Sequence, residues 1–205
     1  MNRREFAQRS GSAVLFLMAG GSALLTGCGV LTDIENWIPV GLQAFQAIIS
    51  LLEGAGIISI AAGGPIAGLV ATITSGFSDL TTAIKQYQAI TPPPTGAMAN
   101  IEAVLNSIVG NFQTFLASIN ITNSKLTTLV VGMAEIILGT IAGFENLLPT
   151  STAALLAKGA HVGQAVVPLV PKHRTRRGFK HEWNGLVTAS GHPELKLHVS
   201  LFEHL

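Results

Sequence analysis

Residues 98–119 read MANIEAVLNSIVGNFQTFLASI, and the architecture of the whole chain follows from this segment. Within it Met98, Ile101, Leu105, Ile108, Phe112, Phe115 and Ile119 are separated by steps of 3, 4, 3, 4, 3 and 4. Such a heptad seam places all seven side chains on one stripe of a helix. Between them stand Asn106, Ser107, Asn111, Gln113 and Thr114, which suit the wet face. The polar run Asn120 to Ser124 then breaks the pattern, and Leu126, Val130, Met133, Ile137, Ile141, Phe144 and Leu148 start a second seam that ends at Pro149. A short connection between two long helices implies antiparallel neighbours.

The same period extends toward the N-terminus. Ile66, Leu69, Ile73, Phe77, Leu80, Ile84 and Tyr87 form one helical face, opened by Pro65 and stopped by Pro92, Pro93 and Pro94. Before it, Thr32-Asp33-Ile34-Glu35 fits a capping box. Pro39 follows closely, so a short first turn or a kink is expected there. Leu42, Phe45, Ile49 and Leu52 carry the stripe on until Gly54 and Gly56 end it. The expected fold is mainly all-α: an antiparallel up-down bundle of three to four helices over 32–158, with a small mixed C-terminal tail over 159–205.

Composition bounds the function. The 205 residues are 48% hydrophobic and 11% charged, with a net charge of +1 and one cysteine. An average soluble domain is about 25% charged, so a long disordered charged chain is excluded. A strongly basic nucleic-acid binder is not the default, and no nucleic-acid partner is expected. A single cysteine excludes a disulfide scaffold.

The first 27 residues differ from the rest. Arg3, Arg4 and Arg9 against Glu5 give a positive start, and residues 11–27 are uncharged and mostly apolar. This is the layout of an export signal. Asn2-Arg3-Arg4-Glu5-Phe6 resembles the twin-arginine signal of bacterial export, with Arg3, Arg4 and Phe6 at its key positions. Gln8 and Arg9 stand where that signal often has a lysine. Leu25-Thr26-Gly27-Cys28 resembles a bacterial lipobox, and Cys28 is the only thiol. The resemblance implies cleavage before Cys28, a diacylglyceryl group on its sulfur, and attachment to a membrane of the bacterial cell envelope. On this reading 1–27 is the export signal and 28–31 the lipidated N-terminus. The twin-arginine likeness further implies a cargo that folds before it is exported.

A membrane-inserting reading competes. Residues 54–78 and 103–124 carry no charge, and each is long enough to span a bilayer. Gly64 with Gly68 and Gly139 with Gly143 match the GxxxG pattern of packed membrane helices. Against it, the faces opposite the stripes carry Thr, Ser, Gln, Asn, Asp79, Lys85, Glu135 and Glu145. A bundle outside the bilayer is therefore the expectation, with insertion or oligomerisation of Gly-rich helices as the alternative.

The tail changes composition. Residues 29–160 hold three lysines against seven acids, whereas 161–205 hold six Lys and Arg against three Glu, and all six histidines. Lys172, Arg174, Arg176, Arg177 and Lys180 make a basic run suited to an anionic lipid or envelope polymer. Phe179, Trp183, Leu186 and Val187 have helical spacing. Leu195, Leu197, Val199 and Leu201 alternate like a half-buried strand, for which 162–170 or another chain is a candidate partner. His181-Glu182 begins a zincin-like motif but lacks its second histidine. No nucleophile elbow, phosphate loop or paired carboxylates appear in the linear sequence, so no enzyme activity, metal or cofactor is expected.

Overall fold

A computed structural model describes residues 3–61, 63–91, 96–148, 160–162, 165–167, 172 and 174–197, with side chains from 29 onward except in the two short strands. Five helices and a small hairpin follow in order: α1 (Arg3–Gly54), α2 (Pro65–Ala89), α3 (Ala97–Ser118), α4 (Ser124–Glu145), β1 (Ala160–Val162), β2 (Ala165–Val167) and α5 (Arg176–Ala189). A 3-10 turn over Pro193–Leu195 comes last. The mainly helical bundle is as expected.

α1 departs from expectation: it runs unbroken through the capping box and through Pro39. A proline inside a helix costs about 3 kcal/mol. Here its ring lies on the exposed side, where water can meet the carbonyl that loses its donor. The flanking Trp37, Ile38 and Val40 are buried, at roughly 1.5–3 kcal/mol each. Packing on both sides outweighs the lost hydrogen bond.

α1 to α4 alternate in direction. Trp37 of α1 meets Phe77 of α2 and Phe144 of α4, with ring centroids 5.8 and 5.6 Å apart. Eight residues on, Phe45 meets Phe112 and Phe115 of α3 at 5.3 and 5.7 Å. All seven residues of the 98–119 seam are buried. α2 and α3 pack as a hairpin tight enough that a Cβ on Gly76 would sit 2.8 Å from Ile108. α4 is the central helix, in contact with α1, α3, α5 and both strands. From Met133 to Glu145 every residue is buried except Glu135, which is half-buried, so over this part of α4 the single expected stripe has become an enclosed segment. The Asn123 side chain caps its start, accepting from the backbone N–H groups of Lys125 and Leu126 at 3.0 and 3.2 Å.

The tail folds onto this body. β1 and β2 pair antiparallel, Ala160 opposite Val167 and Val162 opposite Ala165. The expected pairing of 162–170 with 195–201 is overturned within the described residues, since 193–195 form the 3-10 turn instead. Asn184 takes the place of a strand partner: its Oδ1 accepts from Leu197 N–H at 2.8 Å and its Nδ2 donates to Leu197 C=O at 3.0 Å. Both backbone groups of Leu197 are thus satisfied without a neighbouring strand. Residues 198–205, with the rest of that expected strand, lie outside the described residues. α5 inserts Phe179, Trp183 and Val187 into the same core as the bundle.

Candidate functional site

Arg3, Arg4, Phe6, Leu25, Thr26, Gly27 and Cys28 all fall on the first half of α1, and their side chains lie outside the described ones. The described core starts at Leu31, three residues after Cys28.

The five cations of the tail are not equivalent. Lys172 and Arg177 are exposed, Arg176 is half-buried, and Arg174 and Lys180 are buried. Thr175 caps α5, its Oγ1 accepting from Gly178 N–H at 3.2 Å. This sets the helix so that Glu182 faces the basic run. Glu182 accepts from Lys172 Nζ through one carboxylate oxygen and from Arg174 Nε through the other. Arg174 also reaches α4, where its Nη1 donates to Thr140 Oγ1 at 3.2 Å. Thr140 in turn donates to Ile136 C=O at 2.7 Å. The Lys172 backbone N–H donates to Gly139 C=O at 2.8 Å. Partial burial alone would raise the Glu182 carboxyl. Its hydrogen bonds with Lys172 and Arg174, and their charges, outweigh burial and hold it below the ordinary carboxylate range. A shallow cleft of about 500 Å³ opens here, with Glu135 and His181 beside the ion cluster. Two cations of the basic run are therefore engaged by the chain's own Glu182. Phe179 and Trp183, which follow the run, pack inward: Phe179 lies 5.8 Å from Trp37 and stacks on Trp183.

The structure also joins two groups that the linear sequence keeps 43 residues apart. Glu102 of α3 and Glu145 of α4 are both buried. Burial, and then the negative charge of Glu102, push the Glu145 carboxyl up to about 7. Its Oε1 has no hydrogen-bond partner among the described residues. Antiparallel packing of α3 and α4 brings the pair together, and no local motif announces it. Two acids alone do not make a metal centre, and the described residues contain no group of three His, Cys, Asp or Glu able to hold one.

A larger cleft, about 1010 Å³, lies at the opposite end of the bundle, between the end of α1, the start of α4 and the end of α5. Leu51, Leu126, Leu129, Leu186 and Leu195 make its floor apolar. His192 Nδ1 and Glu194 Oε1 pair at 2.8 Å on its rim. The backbone amide of Glu194 and the His192 ring hold that carboxyl below its ordinary range.

By length and composition α4 could cross a membrane, yet most of it is buried inside the molecule. The Gly64 and Gly68 pair has open space around it, with nothing within 4 Å of an added Cβ. No protein family model matches this chain, and no curated protein or solved structure matches it either.

Proposed function

We propose that this chain is an exported, lipid-anchored protein of the bacterial cell envelope, with a structural or interaction role rather than a catalytic one. The observation that carries the reading is the ordered N-terminus: paired arginines at 3 and 4, an uncharged run over 11–27, and the one cysteine at the end of Leu25-Thr26-Gly27-Cys28. A packed body beginning at Leu31 supports it. Acyl chains on Cys28 would hold such a body at a membrane surface without any spanning helix, since two or more chains give stable anchoring where one gives only marginal binding. The enclosed position of α4 favours this reading over insertion of the bundle into a bilayer.

Mass spectrometry of the mature N-terminus from the native host tests the proposal. The expected species begins at a diacylglyceryl-modified Cys28. Residues 1–27 intact ahead of an unmodified Cys28 would overturn it. Detergent-free extraction of a chain that begins at Gly29, and so has neither the lipid nor the apolar leader, separates the alternative: a peripheral bundle stays in solution, and an inserting one goes to the membrane.

A further inference from the structure

Among the described residues two large apolar side chains are markedly exposed, Ile90 at 51% and Leu147 at 45%. They stand just past the ends of α2 and α4, and both lie at the end of the bundle where Cys28 enters. The Trp37, Phe77 and Phe144 rings lie close together and mark one level across three helices. From that level α1 runs back to Gly29 over about 12 Å, at 1.5 Å per residue. α2 runs the same way to Ile90 over about 20 Å, and α4 to Leu147 over about 5 Å. Ile90 therefore reaches about 8 Å beyond Gly29, and Leu147 stops about 7 Å short of it.

We infer that this end of the bundle, with Ile90 foremost and Leu147 behind it, is a surface that contacts the lipid bilayer. The inference rests on the anchoring proposed above, which would pin Gly29 at the membrane through Cys28. The headgroup layer is roughly 6 Å thick on each side. With Cys28 at that layer, Ile90 enters it or passes through, and Leu147 stands just outside it. A single exposed apolar side chain is ordinary by itself; what singles out Ile90 is its position beyond the attachment point. Here the chain's own attachment point says which surface it is.

The test uses the lipidated protein in phosphatidylcholine vesicles whose acyl chains carry bromine, a short-range quencher of tryptophan. Ile90→Trp and Leu147→Trp report on this end, and Thr122→Trp reports on the exposed α3–α4 connection at the other. Trp37 and Trp183 are fully buried and supply a constant background. All three substituted positions lie on the surface, so the fold is kept. The expected result is quenching at 90 several-fold above that at 122, with 147 between them, and the reverse order with aqueous iodide. Equal quenching by bromolipid at 90 and 122, with iodide reaching all three, would overturn the inference and leave this end to a protein partner. The mass of the same preparation reports on Cys28 separately. If 1–27 remain, α1 still leaves the bundle at this end, so the quenching order decides the surface even where the lipid reading fails.

Discussion

At the scale of single residues, the two buried carboxyls and one crowded glycine show what tertiary contact does to ordinary side chains. Unfolded, the Glu145 carboxyl ionises near 4.5; folded, near 7. Between those values the unfolded chain has released a proton that the folded chain still holds. Stability therefore falls as pH rises from about 5 to 7 and levels off above, by on the order of 2 kcal/mol. Glu145→Gln removes the titrating group, so most of that fall should vanish in urea unfolding at pH 5 and pH 8. An unchanged pH dependence in the variant would place its origin elsewhere. Gly41 sets two effects against each other. Alanine in a helix gains about 0.5–1 kcal/mol over glycine. At Gly41, however, a Cβ would sit 2.7 Å from the Trp37 ring. That ring is held by Phe77, Phe144 and Phe179 and cannot swing aside. Overpacking costs about 1–3 kcal/mol and should win, so Gly41→Ala should lower Tm by a few degrees. Gly110→Ala on the open face of α3, with nothing within 4 Å, should raise Tm slightly. The two melting curves, shifted in opposite directions, check the pair.

At the scale of elements, α5 is the one whose placement depends on charge. Its apolar edge docks through Phe179, Trp183 and Val187, and the ion cluster around Glu182 ties its outer face to the segment before it and, through Arg174, to α4. Breaking a buried ion pair by removing one partner costs about 3–5 kcal/mol. Glu182 and Lys172 are partly in water, so the cost of Glu182→Gln should be nearer 2 kcal/mol. Hydrogen exchange is the measurement: α5 amides should exchange faster in the variant while those of the α2–α3 hairpin stay as they were. Uniform acceleration across all helices would mean that the cluster supports the whole core and not the docking of α5. Pairing within the cluster also limits what the basic run can offer an outside anion, because Arg174 and Lys180 are buried and Lys172 is engaged. Among the described residues Arg177 is the exposed cation of the five that stands outside the ion cluster.

At the scale of the whole molecule, the described core runs from Leu31 to Leu197, closed around α4. If 1–27 is only a signal, a chain starting at Cys28 should melt within about a degree of the full-length chain in the same detergent. A large loss on removing 1–27 would show that the leader half of α1 is part of the fold. The helices themselves were legible in the sequence. The seam at Met98 to Ile119, the proline at the start of α2 and the polar connection before α4 each rest on local spacing, which the backbone period of 3.6 residues turns directly into a face. The continuity of α1 was not legible, because a cap and a proline are local signals and the burial of Trp37 and its neighbours that overrides them is not. The tail divides in the same way. Its helix and its charge were readable as composition and period. The closing of Glu182 on residues eight and ten positions earlier, the clasp of Asn184 on Leu197, and the meeting of Glu102 with Glu145 depend on which elements end up side by side. Sequence alone determined the helical segments after α1, their apolar seams, and the cationic, apolar and cysteine pattern at the N-terminus. Tertiary structure alone decided which helix is enclosed, which cations are neutralised, and which end of the bundle gathers Gly29, Ile90 and Leu147. The physical reason is that helical periodicity is a property of neighbours in the chain, whereas burial and charge pairing are properties of neighbours in space.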